Sequence, residues 1–173
     1  MTNIYDHIAV RLDPSLSEQA GFEAALPALA PLFDAAPLID SERRHTVLTV
    51  TQDGGSRTSV GFWAAALHTG LGLASPSDFP WCLANASCAT LARRFALTGP
   101  NYTWLADDLT QSAAYLGAAE VMAADIGAGR PVWVMANRFA GARPMVVLWR
   151  WHRAGTIDQM AQEWAQAAGG RDV

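Results

Sequence analysis

The sequence predicts an α/β layered domain, on three observations. The runs His45-Thr-Val-Leu-Thr-Val-Thr51, Pro131-Val-Trp-Val-Met-Ala-Asn137 and Met145-Val-Val-Leu-Trp-Arg-Trp151 are rich in β-branched and aromatic side chains and read as strands. The last two are almost continuously apolar, as strands covered on both faces are. Helix-like stretches alternate with these runs, and that alternation builds helices onto a sheet in layers.

Taken in order, Asp13 to Ile39 is apolar and helix-like, and Ser15 with Glu18 offers a capping box. Pro27, Pro31 and Pro37 predict that it breaks into short helices, because each removes a helical N–H donor. Gly54-Gly55 ends the strand that starts at His45, and a helix over about Thr58 to His68 follows. Ser77-Asp-Phe-Pro80 reads as the start of a helix running toward Phe95 and carrying both Cys82 and Cys88. Tyr102 to Ala106 reads as a strand. Asp108-Leu-Thr-Gln111 fits a capping box that opens an Ala-rich helix ending near Gly127. After Gly155, Thr156 and Gln159 form a further capping box. Ile157, Met160, Ala161, Trp164, Ala165 and Ala168 then give one helical stripe.

Composition narrows the function. At 173 residues the chain is expected to be one domain spanning 1–173, large enough to bury a core without disulfides or metals. No apolar run is long enough to span a membrane, and Met1 to Arg11 lacks the charged and apolar regions of a signal peptide. Six residues apart on one helix, Cys82 and Cys88 face different ways, so free thiols and a cytoplasmic setting are expected. A net charge of −4 argues against nucleic acid as a partner. All 12 basic side chains are arginine, which excludes a lysine Schiff base. His7, His45, His68 and His152 are too scattered for a metal site, and no Walker or dinucleotide pattern is present, so no cofactor is expected.

Ser75-Pro-Ser-Asp-Phe-Pro-Trp-Cys-Leu-Ala-Asn-Ala86, followed by Leu91-Ala-Arg-Arg-Phe-Ala-Leu-Thr-Gly-Pro-Asn-Tyr-Thr103, resembles the N-terminal half of β-ketoacyl synthases. Val47 to Gly55 resembles that family's first core strand and glycine turn, and Gly127-Ala-Gly-Arg130 with Pro131-Val-Trp-Val134 fills the later places. The resemblance covers roughly Arg43 to Trp151. It implies one half of a thiolase fold, with a layered, mixed, mostly parallel sheet covered by helices.

Two departures from the family shape the expected function. Counting from Gly99-Pro100, the family's nucleophilic cysteine falls on Asp108, and a slip of one residue puts Asp107 there. A helix N-terminus would stabilise either a thiolate or a carboxylate, but a carboxylate forms no thioester. The family's catalytic histidines belong to a second half that this sequence lacks. The resemblance therefore implies a non-catalytic, chain-length-factor-like subunit of polyketide, aryl polyene or fatty-acid-like biosynthesis, paired with an active ketosynthase or with itself. In that family the strand before the nucleophile runs along the dimer interface, which here implies Tyr102, Thr103, Trp104 and Leu105.

Plainer roles stand beside these. Asp108 has the residue type of an ordinary helix cap, and Asp107 with Asp108 could form an acid pair of raised pKa in a free-standing enzyme acting on an acyl substrate. Arg43-Arg44, Arg93-Arg94 and Arg150-Trp-His-Arg153 could steer an acidic acyl carrier protein or simply face solvent. Trp104, Trp133, Trp149 and Trp151 are expected in the core or at an interface.

Overall fold

A computed structural model describes residues 5–34, 45–128, 132–141, 143–151, 162 and 164–166. The elements run β1 (Tyr5–Arg11), α1 (Glu18–Asp34), β2 (Thr46–Thr51), α2 (Ser56–Thr69), α3 (Ala86–Arg94), β3 (Asn101–Leu105), α4 (Leu116–Gly127), β4 (Val132–Arg138) and β5 (Met145–Trp151). Short 3-10 turns at Leu71–Leu73, Phe79–Cys82 and Ser112–Tyr115 link them. The five strands form one sheet in the order β1-β5-β4-β2-β3. β3, β2 and β4 are mutually parallel, while β5 is antiparallel to both β4 and β1. Four strands thus share a direction and one opposes them, the mixed and mostly parallel sheet that was expected.

Side-chain alternation on the central strands sorts the core into two layers. From β4, Trp133 and Met135 face a cluster with Phe22 and Leu29 of α1 and Leu91 of α3. Val132, Val134 and Ala136 face the other side, with Met122 of α4, Trp149 and Trp164. Phe33 stacks between Phe95 and Trp133, its centroid 3.8 Å and 4.1 Å from theirs. Every residue of β2 is buried, and β4 is buried up to its last residue.

Several local expectations are corrected. α1 is one continuous helix through Pro27 and Pro31. The two prolines are four residues apart and both exposed, so the carbonyls they leave without helical donors face water. Its cap is Ser17, whose hydroxyl accepts the Ala20 N–H at 3.1 Å. Ser15 instead closes a turn on Asp13, and Glu18 is used elsewhere. The predicted helix from Phe79 to Phe95 is two pieces, because Leu83 adopts an extended conformation, and Cys82 and Cys88 fall on different pieces. Both cysteines are free thiols. β1 is a strand that the sequence reading did not include. At the far end Trp164 is helical and buried as expected, but Ala165 is exposed and leaves the stripe. Pro37, Ile157, Met160, Ala161 and Ala168 lie outside the described residues.

Candidate functional site

The parallel strands β2, β3 and β4 end on one side of the sheet, where open α/β sheets bind their ligands. A cleft of about 660 Å³ lies there, lined by Gln52, Asp53, Asp107, Arg138, Ala140, Gly141 and Arg143. Each parallel strand supplies a polar residue at or just past its end: Asp53 after β2, Asp107 after β3, and Arg138 as the last residue of β4. The Asp53 carboxylate accepts the Phe139 N–H at 2.8 Å and also the Ala140 N–H, tying the turn after β4 to the turn after β2. Gln52 N–H donates to the Asn137 carbonyl at 3.2 Å. Arg138 Nη2 donates to the Arg143 carbonyl at 2.9 Å. The cleft wall is therefore held by its own hydrogen bonds, and Asp107 is exposed at its rim.

Asp108 does not open a helix. Its carboxylate accepts the Thr110 N–H at 2.8 Å, the Thr110 hydroxyl at 2.7 Å and the Gln111 amide at 3.2 Å, a local turn eight residues before α4. These bonds, the Thr110 hydroxyl foremost, hold its pKa below the ordinary aspartate value, with burial opposing weakly. The alternative of an acid pair with raised pKa is thus not met at Asp108. The chain instead reaches α4 through the 3-10 turn Ser112–Tyr115, and Tyr115 caps the helix by backbone alone. The buried Tyr115 hydroxyl donates to the Leu109 carbonyl at 3.0 Å, and burial pushes its pKa up. The sequence places no cysteine between β3 and the end of α4. Cys88 lies buried on α3, where burial raises its thiol pKa, and half-buried Cys82 lies on the turn after α2.

β3 is an edge strand. Its inner side pairs with β2 from Val47↔Asn101 to Thr51↔Leu105, and Ala106 N–H continues to the Thr51 carbonyl at 2.9 Å. Tyr102 and Leu105 are exposed, whereas Thr103 and Trp104 are half-buried. Trp104 packs on Gly117 at the start of α4.

The arginine clusters separate. Arg93 and Arg94 are exposed in the last turn of α3, Arg94 lying 6.0 Å from the Phe95 ring centre. Arg150 is nearly buried, paired with Asp6 at 2.8 Å and reaching the Leu32 carbonyl, so it is spent on joining β5 to β1 and α1. Arg43, Arg44, His152 and Arg153 lie outside the described residues. Among the described residues, no group of three His, Cys, Asp or Glu side chains could hold a metal, and no helix is long and apolar enough to cross a membrane.

The sequence reading missed Asp53, Arg138 and Arg143 as cleft residues. The available signal was position, since Asp53 and Arg138 both sit at the ends of strands it had identified. It also missed Glu18 as a buried group serving another helix.

No family model matches the chain, and no curated protein matches it by sequence. Among solved structures, the chain resembles one from the complex of the ketosynthase ApeO with its chain length factor ApeC from Xenorhabdus doucetiae. The TM-score is 0.54 at 12% identity, over 89% of this chain and 81% of that one, so the two are of similar length. The fold is ketosynthase-like: a mixed five-stranded sheet flanked by helices, with a thiolase-like neighbour.

Proposed function

We propose that this chain is a ketosynthase-like subunit lacking a nucleophilic cysteine, which pairs along β3 with an active ketosynthase or with itself. It assists acyl-chain elongation in polyketide, aryl polyene or fatty-acid-like synthesis. The observation that carries this reading is the open edge of β3. Among the described residues, no strand lies beside the outer N–H and C=O groups of Asn101–Leu105, and exposed Tyr102 and Leu105 flank them with apolar surface. Such an edge invites strand addition, and a partner strand satisfies it. The fold neighbour comes from a complex of a ketosynthase with a chain length factor, which makes a ketosynthase the first partner to try. The absence of a thiol between β3 and α4 supports the non-catalytic role, with Asp108 at the position that the family's spacing gives its nucleophile. Exposed Arg93 and Arg94 offer positive charge to an acidic acyl carrier protein.

One observation favours a second reading. Asp107 stands at the rim of the cleft over the strand ends, where a free-standing enzyme would place a general acid or base. The two readings separate by experiment. The subunit is inert alone: incubation with acyl-carrier-protein thioesters leaves its intact mass unchanged, and it co-purifies with a co-expressed ketosynthase. Trp104→Asp, which sets a charge in the middle of β3, abolishes that co-purification. Turnover of an acyl thioester by the isolated chain, lost on Asp107→Asn, would establish the enzyme instead.

A further inference from the structure

Helix α2 buries almost nothing of itself. Of its 14 residues only Ala66 is buried. Its inner side rests on the turn Phe79–Cys82, with the Phe62 and Phe79 rings 5.8 Å apart. The outer side carries Val60, Trp63 and Leu67 at helical spacing, and Leu71 and Leu73 continue past the helix end. These five large apolar side chains are between 47% and 85% exposed.

Five side chains exposed to this degree present apolar area on the order of 600 Å². That stands at the top of the ~300–600 Å² range of the largest patch on a typical monomer. It approaches the ~800 Å² that each partner buries in a standard interface. From Gly54 to Ser77 the only formally charged side chain is Arg57. The face therefore offers nothing to recognise an oppositely charged partner and nothing to repel an identical one.

We propose that this face pairs with the same face of a second copy of the chain, α2 against α2, antiparallel about a two-fold axis. The contact is separate from β3, so the inference goes beyond the subunit reading. An axis passing between Trp63 and Ala64 sets Val60 opposite Leu67 and Trp63 opposite Ala64, large against small on both sides, as an isologous interface requires. The helix dipoles then oppose one another. The two Arg57 residues sit at opposite ends, ~20 Å apart along the helices.

Light scattering after size exclusion, with sedimentation velocity, on the full chain and two variants tests this. Leu67→Glu halves the mass of the α2-paired species, and at concentrations where both are monomeric its thermal unfolding matches the parent's, because Leu67 is 85% exposed in the single chain. Tyr102→Asp, at an exposed position of β3, removes association through β3 and leaves the α2 pair intact, so failure at one surface is distinguishable from failure at the other. In a Cys82→Ser background, Ala64→Cys forms a disulfide-linked dimer under mild oxidation, as its place beside the axis requires. The proposal is overturned if Leu67→Glu leaves the mass unchanged, or if the parent is monomeric across concentrations. It is equally overturned if Leu67→Glu loses only binding to phosphatidylcholine vesicles or to a ketosynthase, which would assign the face to a lipid surface or to a different chain.

Discussion

The indole of Trp104 lies so close over Gly117 that a Cβ at position 117 would stand 2.4 Å from its Nε1. β3 and α4 therefore meet where only glycine fits, and the aromatic ring on the sheet edge is set by a helix behind it. Gly117→Ala gains up to ~1 kcal/mol of helix propensity. It loses more to overpacking, ~1–3 kcal/mol, unless the ring can swing away. Stability falls in the otherwise unaltered protein, and in a Trp104→Leu background the same substitution is neutral or favourable. Denaturant unfolding of the four-member cycle measures the coupling, and simple additivity would show that the contact carries no energy.

Glu18 of α1 caps a helix other than its own. Its buried carboxylate accepts the Arg57 N–H at 3.1 Å and the Thr58 hydroxyl at 2.8 Å at the start of α2, which has no side-chain cap from its own segment. Burial raises its pKa above the ordinary 4.5, against the lowering effect of those two hydrogen bonds. The folded state thus holds this proton more tightly than the unfolded state does. Its contribution to stability is complete below the unfolded value and is lost as pH rises through the folded one. Glu18→Gln keeps an acceptor for Arg57 and has no proton to release. The advantage of the parent over the variant should shrink as pH rises through and above 4.5 in urea unfolding. A difference independent of pH would mean that Glu18 does not titrate differently on folding.

Trp164 fills the second core layer beside Trp149 and Met122 and is 1% exposed. Trp164→Ala should cost about 3–5 kcal/mol, the range for truncating a large buried aromatic. A change below about 0.5 kcal/mol would place this part of the chain outside the cooperative core.

The two thiols should differ in reactivity. Burial raises the pKa of both, but Cys88 is buried whereas Cys82 reaches solvent in part. Iodoacetamide should modify Cys82 in the native protein and reach Cys88 only on unfolding, read as one added group and then two by intact mass. Equal native rates would show that α3 opens readily over the sheet.

The strands were legible where composition alone decides. β2, β4 and β5 are buried on both faces, so their β-branched and aromatic runs could hardly be read otherwise. β1 carried a weaker signal, the half-buried Ile8 and Val10 alternating with exposed His7, Ala9 and Arg11, in a short segment scanned for targeting features. Helix ends were less legible because caps depend on which neighbour is near. Asp108 and Gln111 do interact, as a capping box would suggest, yet they close a turn and not a helix. Glu18, in the same kind of motif, reaches another helix 39 residues on. The strand edge at Tyr102 to Leu105 came from the family resemblance, whereas the cleft required knowing that three strands end together. The exposed face of α2 was invisible for a simpler reason: an apolar helical stripe reads as core until the fold shows its side chains exposed.

Pro27 and Pro31 leave the Glu23 and Pro27 carbonyls of α1 without donors from the following turn. Both sites point outward on an exposed face, so water is their standing partner. A protein laid over that face would have to strip this hydration and supply a donor at each carbonyl, at ~1–3 kcal/mol for each one left unmatched. The outer wall of α1 thus behaves as a surface that refuses dry contacts, and it biases any assembly toward the opposite edge of the sheet and toward α2.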